Sequence, residues 1–207
     1  MMRVLIYGGE KETESIASFL EGEMPVEIKK LIAKRELASL STAEILDVTE
    51  RDLMSVIGKS ELIVLANPLD AIVAGEELKK RYPEQKFAWY GQGIERVARK
   101  FKMLYVLTSS KIQRLEVYQR MKARCQEIRI VEDDSVGWKE ITEKGRVEKE
   151  EVIEKVKSVQ GAPIIVFHPE LLFSKVREIV DWRGEVVDIE KGLLLAIRTT
   201  LRLKKWC

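Results

Sequence analysis

Short, unbroken apolar runs alternate along the chain with longer segments in which apolar residues recur every three or four positions. The run from Arg3 to Tyr7 is closed by Gly8-Gly9, which is typical of a buried parallel strand that hands over to a helix. The segment from Glu148 to Gln160 instead places its apolar residues on one helical face, namely Val152, Ile153, Val156 and Val159. Strands that alternate with helices predict an α/β fold with mainly parallel sheets.

These patterns and their turn signals set the limits of each predicted element. The predicted strands are Arg3–Tyr7, Val26–Ile32, a run from Leu62, Lys86–Tyr90, Met103–Leu107, Glu127–Val131, a run from Ile164, and Glu185–Ile189. The predicted helices are Glu12–Leu20, Thr49–Ile57, Leu69–Arg81, a helix ending at Phe101, Ser110–Arg124, Trp138–Lys144, Glu148–Gln160, Leu171–Val180 and Gly192–Lys204. Ser41 to Glu44 has the form of a capping box. Gly91-Gln92-Gly93 and Glu132-Asp133-Asp134 are predicted turns, and the latter lacks the spacing of a calcium loop.

Two stretches about a hundred residues apart resemble each other, which indicates an internal repeat. Each is an apolar run that ends in a polar residue and a proline, and three further pairs of segments keep nearly the same offset. The pairs are Leu62–Pro68 with Pro163–Pro169, Arg3–Tyr7 with Lys102–Leu107, Val26–Ile28 with Gln126–Ile128, and Phe87–Gly93 with Val186–Gly192. We therefore predict two pseudo-symmetric three-layer α/β domains that face a central cleft. The predicted limits are residues 1–95 with 189–207 for the first domain and 96–188 for the second.

Composition narrows the class of protein without naming an activity. The 207 residues carry 36 basic and 34 acidic side chains, a net charge of +2, which argues against nucleic acid or a membrane as a partner. Interleaved charges at 34% resemble those of heat-adapted proteins. The two cysteines, Cys125 and Cys207, have neither a disulfide framework nor a zinc-type spacing, so we expect a reducing cytoplasm and no metal site.

Polar groups at predicted strand ends are the candidate binding residues, since open α/β sheets bind ligands there. Asn67 and His168 end the two repeated runs, and His168 is the only histidine, with a side chain that titrates near neutrality. A local interpretation competes at each position, because both residues precede proline and either can begin a helix. Further candidates are Gly8 and Gly9, as a tight turn or an anion site, and the polar group Thr108, Ser109 and Ser110, as a helix cap or a carboxylate site.

Several segments, taken in order, resemble the glutamate racemases of the aspartate/glutamate racemase superfamily. They are Ile63–Asn67 followed by Ala74–Lys79, Gly93–Ala98 running into Tyr105–Thr108, Tyr118–Arg120, Trp138–Gly145, and Ile164–His168 ahead of Val186–Asp188. The resemblance implies two facing α/β domains and chemistry without a cofactor. In that family a cysteine ends each of two equivalent strands, so that one thiolate removes the α-proton and the other thiol returns one.

The sequence departs from this family where the chemistry takes place. Asn67 stands in the place of the first cysteine. When the strands are aligned, His168 stands in the place of the second cysteine. When the following helices are aligned instead, His168 matches a histidine that comes after that cysteine in the family. Neither alignment supplies a thiol, and Gly8-Gly9 replaces the family's Asp-Ser. An amide cannot act as a general base. We therefore expect a pseudoenzyme that binds a small carboxylate or amino acid in the cleft.

Two other classes of function stay open. Arg3–Ile6, Phe87–Gly93 and His168-Pro169 are similar to motifs of uroporphyrinogen-III synthase, although the extra segment that family has before the Met103 strand is missing here. An enzyme of that kind, or one in which His168 acts as a single acid or base, is the first alternative. The second is a structural or oligomerisation module, such as a homodimer, with a cleft filled by side chains.

Overall fold

The structure is a computed structural model that describes residues 1–33, 40–98, 100–108, 119, 122–123, 129–134, 164–167, 186–187 and 189–201. The chain divides into two compact units, Met1–Gly93 with Glu190–Cys207, and Ile94–Ile189. The first unit contains strands β1 (Met2–Gly8), β2 (Val26–Ile32), β3 (Leu62–Leu65) and β4 (Phe87–Trp89). Its helices are α1 (Glu10–Glu23), α2 (Thr42–Leu53), α3 (Pro68–Arg81), α4 (Tyr90–Ala98, which continues into the second unit) and α5 (Ile189–Thr200).

The four strands of the first unit form one parallel sheet in the order β2-β1-β3-β4. Burial follows this order. The central strands are covered on both faces, since Val4 to Gly8 and Leu62 to Leu65 are all buried. The edge strand β2 instead alternates half-buried with exposed residues. Continuous apolar runs therefore became the centre of the sheet, as a parallel sheet with helices on both faces requires, and the predicted α/β class is confirmed.

Helix α2 begins at the predicted capping box. The Ser41 hydroxyl accepts from the Glu44 backbone N–H at 3.4 Å, and the Glu44 carboxylate accepts from the Ser41 N–H at 2.8 Å. This reciprocal pair satisfies backbone donors that a helix start leaves unpaired. The prediction that Thr49 opens a separate helix is wrong, because α2 runs without a break from Thr42 to Leu53. Thr49 lies inside it, and its hydroxyl contacts the Ile45 carbonyl oxygen one turn earlier at 2.7 Å.

Helices α4 and α5 meet at two glycines of the first unit. A Cβ atom placed on Gly93 would collide with the backbone of Gly192, so the two helices approach more closely than any side chain allows. Gly91–Gly93, predicted as the turn or cap that leads into this helix, instead lie within its first turns, because α4 begins at Tyr90. Helix α5 begins at Ile189, three residues before the predicted start, so Gly192 lies inside the helix.

Helix α5 also contacts earlier parts of the first unit. Arg198 pairs with Glu23 of α1 at 2.5 Å, and the Thr200 hydroxyl lies 3.4 Å from the carbonyl oxygen of Phe87 in β4. Leu193, Ala196 and Ile197 are buried. The last described helix is therefore part of the same core as β1–β4. Within the described ranges, no helix is both long and apolar enough to cross a membrane.

The second unit contains strands β5 (Met103–Thr108), β6 (Arg129–Asp134), β7 (Ile164–Phe167) and β8 (Val186–Val187). They form a parallel sheet in the order β6-β5-β7-β8, the same order as in the first unit. The register agrees with the predicted repeat. Leu65 lies opposite Tyr7 in the first sheet, and Val166, its predicted equivalent, lies opposite Leu107 in the second.

Strand β6 departs from the predicted repeat by two residues. Ile28 lies opposite Val4, and the residue in the equivalent place of the second sheet is Ile130 rather than the predicted Ile128. A shift of two keeps the same residues on the same face, which is why the apolar pattern alone did not detect it. The predicted turn at Glu132–Asp134 is also wrong, since these residues pair with Val106–Thr108. The helices predicted at Trp138–Lys144, Glu148–Gln160 and Leu171–Val180, and most of Ser110–Arg124, lie outside the described residues.

Candidate functional site

The connections of the first sheet reverse direction between β1 and β3. From β1 the chain crosses to β2 on one side, and from β2 it returns past β1 to β3 on the other. Because such crossovers are right-handed, α1 covers one face of the sheet while α2 and α3 cover the opposite face. Open α/β sheets bind ligands at this switch point, outside the carboxyl ends of the strands. The residues there are Gly8, Gly9, Ala66 and Asn67, which we call the edge site.

The two glycines leave little room above the strand ends. A Cβ atom on Gly8 would lie 3.0 Å from the Asn67 nitrogen and 3.1 Å from the Ala66 Cβ, so the strand ends approach closely. Gly9 is the N-cap of α1 and has no side chain to bond the helix N–H groups. The Glu12 carboxylate lies over Gly9, where a Cβ would collide with it. The helix start at the edge site therefore has a carboxylate of its own chain beside it, which complements the helix dipole.

Asn67 begins helix α3. Its carbonyl oxygen accepts from the Ala71 N–H at 2.9 Å, and its side-chain oxygen lies 3.4 Å from the Asp70 nitrogen. This is N-cap geometry, with a long side-chain hydrogen bond. The local interpretation of Asn67 is thus satisfied at the same time as its position at the edge site, and the half-buried side chain stays at the strand end.

Asp70, in the first turn of α3, is fully buried. Its Oδ1 lies 3.1 Å from the Thr49 hydroxyl, and its Oδ2 has no hydrogen-bond partner in the described part of the chain. Burial raises the pKa of Asp70 to about 7; the Thr49 contact lowers it, and the negative charges of Asp52 and Glu12 add to the rise. The pKa of this carboxyl group therefore lies in the neutral range, well above that of an ordinary aspartate.

The contacts of Thr49 are compatible with either form of Asp70. The Thr49 oxygen lies 2.7 Å from the Ile45 carbonyl oxygen and 3.1 Å from Asp70 Oδ1, yet a hydroxyl has one proton to donate. If Asp70 is ionised, its carboxylate and the Ile45 carbonyl oxygen can both only accept a hydrogen bond. The single Thr49 proton then serves one of these contacts, and the oxygens of the other contact have no hydrogen between them. If Asp70 is neutral, its carboxyl donates to Thr49, which donates to Ile45. The neutral carboxyl therefore gives each contact a proton.

Tyr7, the last residue of β1 before Gly8, completes a polar cluster of Tyr7, Thr49, Asp52 and Asp70. Its phenol donates to the Asp52 carboxylate at 3.0 Å. Burial first, then the charge of Asp70 and the bond to Asp52, raise the pKa of Tyr7 well above its ordinary value, so the phenol stays protonated. The cluster lies between the sheet and helices α2 and α3, directly behind the edge site.

Asp70 is the residue that sequence reasoning missed. An aspartate three positions after an N-cap is usually a solvated acid that complements the helix dipole. The available signal was its place five residues after a buried strand, but burial depends on Thr49 and Tyr7, which are distant in sequence.

The second unit contributes one described candidate. Thr108 is buried at the end of β5 and lies opposite Phe167, the last residue of β7. Ser109, Ser110 and His168 lie outside the described residues, as do both cysteines. Whether Asn67 and His168 face one cleft therefore stays a prediction. Across the described ranges, no group of three His, Cys, Asp or Glu side chains is arranged to hold a metal ion.

Comparison with solved structures identifies the class of fold. Glutamate racemase from Aquifex pyrophilus matches with a TM-score of 0.68 and 19% identity, covering 96% of this chain and 83% of that one. Glutamate racemase from Francisella tularensis, solved in complex with D-glutamate, gives 0.67 and 10%, covering 100% and 84%. Allantoin racemase from Pseudomonas fluorescens gives 0.63 and 15%, covering 98% and 92%. No family model and no curated protein matches the sequence.

The chain therefore has the fold of these racemases, which confirms the α/β class expected from the resemblance, while the facing arrangement of two domains stays a prediction. The racemases it matches act on different compounds, glutamate in two cases and allantoin in the third. The fold by itself selects none of these substrates, because activity resides in the site residues.

Proposed function

We propose that the protein binds a small carboxylate or an amino acid at the edge site and does not carry out two-thiol racemisation. The observation that carries this proposal is a racemase fold in which Asn67, an amide that caps a helix, stands at the switch point of the first sheet. The scaffold for binding is kept, while the side chain at that strand end is not a thiol.

Backbone groups support the binding half of the proposal. Helices α1 and α3 both begin at the edge site, and the first N–H groups of a helix attract anions. Gly8 has no side chain to block the approach of a ligand to these groups, whereas the Glu12 carboxylate lies over Gly9. The Francisella tularensis racemase, of the same fold, was solved with D-glutamate, an amino acid with two carboxylates. A compound of that class is therefore the first ligand to test.

The chemical half of the proposal depends on the sequence. A two-base racemase needs a group that accepts the α-proton on one face and a group that donates one on the other. Asn67 cannot accept a proton, and the chain's cysteines, Cys125 and Cys207, are far in sequence from the ends of β3 and β7. We propose on this basis that glutamate enantiomers are bound without interconversion.

The uroporphyrinogen-III synthase-like enzyme and the structural module stay alternatives, and nothing in the described residues favours either over ligand binding. A cytoplasmic location and a homodimer likewise stay predictions.

Thermal denaturation with candidate ligands tests the proposal. A ligand at a hundred times its Kd stabilises the folded state by about 2.7 kcal/mol, which raises Tm by roughly 5–10 °C in a protein of this size. We expect such a shift with D- or L-glutamate, aspartate or a related diacid, and no change in optical rotation of glutamate on incubation. Absence of a shift with all of them would reject this ligand class.

A matched pair of variants locates the binding site. Gly8→Ala places a methyl group 3.0 Å from the Asn67 nitrogen, whereas Gly22→Ala in α1 meets nothing within 4 Å. We expect Gly8→Ala to lose most of the ligand-induced rise in Tm and Gly22→Ala to retain it. Equal shifts in the two variants would place the ligand away from the edge site.

A further inference from the structure

The polar cluster behind the edge site contains an acid that the proposed binding function leaves unused. Asp70 Oδ2 is buried and has no partner in the described part of the chain, so the cost of removing it from water is not compensated there. Asp70 is also close to the edge site, because its own nitrogen lies 3.4 Å from the Asn67 side chain.

The groups that face Asp70 come from three other elements. Tyr7 of β1 and Thr49 of α2 are uncharged hydroxyl groups, whereas Asp52 of α2 and Glu12 of α1 act on it as negative charges. Among the residues that the structure describes, the charged groups that act on Asp70 are thus carboxylates. An anionic ligand at the edge site would add a further negative charge, which is unfavourable next to an ionised Asp70 and tolerable next to a neutral one.

We propose that Asp70 couples carboxylate binding at the edge site to the uptake of one proton, with the ligand binding only to the form of the protein in which Asp70 is neutral. The inference rests on the proposed function. The proton is held by the Asp70 carboxyl group. On Oδ1 it is donated to Thr49, so the buried acid acts on the edge site through its charge.

This arrangement explains why an acid lies behind a site expected to attract anions. A neutral carboxylic acid adds no negative charge behind the site, so it does not oppose the attraction of the helix N-termini for an anion. The pKa of Asp70, about 7, puts the exchange of this proton near neutral pH.

The test measures the affinity for glutamate, aspartate and succinate by calorimetry at pH 6, 7 and 8.5, in buffers of different ionisation enthalpy. For the wild-type protein we expect affinity to fall toward tenfold per pH unit above pH 7, with uptake of one proton per ligand at pH 8.5. Asp70→Asn, which copies the neutral acid, is expected to bind with no such pH dependence. The matched control is Asp47→Asn, at an exposed position of α2, which is expected to keep the wild-type profile.

The possible results are distinguishable. Binding by the wild type that does not change between pH 6 and 8.5 overturns the inference and leaves the proposed function intact. A wild-type pH profile that persists in Asp70→Asn also overturns it, since another group, such as His168, then takes up the proton. No binding of any of the three acids at pH 6, in either protein, removes the proposed function and this inference together. Folding of Asp70→Asn is checked independently by urea denaturation.

Discussion

Replacing Asp70 by asparagine should stabilise the protein, and the gain should depend on pH. Asparagine has the shape of a neutral aspartic acid, and its amide can donate to the Thr49 oxygen as the protonated carboxyl does. It never ionises. The variant therefore removes the cost of a buried charge while it keeps the contact between α3 and α2.

The magnitude follows from the pKa of Asp70, which is about 7 in the folded protein against an ordinary value of 3.8. Because the folded pKa is the higher one, the unfolded chain releases this proton first as pH rises, and stability falls between about pH 4 and pH 7. At 1.36 kcal/mol for each pKa unit, the wild type loses about 4 kcal/mol across that range as an upper estimate. Asp70→Asn should equal the wild type near pH 4 and exceed it by up to that amount above pH 7.

Urea denaturation at a series of pH values measures this difference. With an m-value of about 2 kcal/mol per molar urea, the midpoints of the variant and the wild type should separate by up to about 2 M at pH 8 and coincide near pH 4. Asp47→Asn, at an exposed position, should follow the wild type throughout. The reasoning would be refuted if the urea midpoints of Asp70→Asn and the wild type differed by the same amount at every pH, or if the stability gain of the variant grew toward low pH.

Two further predictions concern the packing and the ends of helices. Gly93→Ala should lower the free energy of unfolding by about 2 kcal/mol, because the new methyl group meets the backbone of Gly192, while Gly22→Ala in open space should be neutral or slightly stabilising. Thermal denaturation compares the pair, and equal Tm values would contradict the close approach of α4 and α5. Ser41→Ala should cost about 1 kcal/mol by removing the cap that bonds Glu44, whereas Ser41→Asp should retain most of the stability. A Ser41→Ala midpoint indistinguishable from the wild type in urea would show that the capping box adds nothing.

Local sequence signals predicted where most helices and strands lie, but not which residues these helices and strands contact. The capping box at Ser41 was predicted because its two hydrogen bonds join residues three positions apart. The new helix start predicted at Thr49 was wrong. The Thr49 hydroxyl contacts the Ile45 carbonyl oxygen within the same helix and the carboxyl group of Asp70, which lies 21 positions later. Glycine favours turns, so the sequence predicts a turn at Gly93, but the close approach of another helix requires glycine there for a different reason.

The candidate site was predicted only in part. Gly8, Gly9 and Asn67 lie together because the ends of neighbouring parallel strands meet at one edge, which the alternation of strands and helices implies. The cap made by Asn67 was one of the two interpretations that the sequence left open, and its side-chain contact agrees with it.

The sequence by itself determined the α/β class, the central strands and the duplication, because apolar periodicity and repeated segments are written along the chain and need no distant partner. The tertiary structure decided the register of β6, the contact between the glycines of α4 and α5, and the raised pKa of Asp70. Each of these depends on groups brought together from separate parts of the chain. Desolvation of a carboxyl, in particular, is set by the atoms that surround it, and those of Tyr7 and Thr49 lie 63 and 21 positions away in sequence.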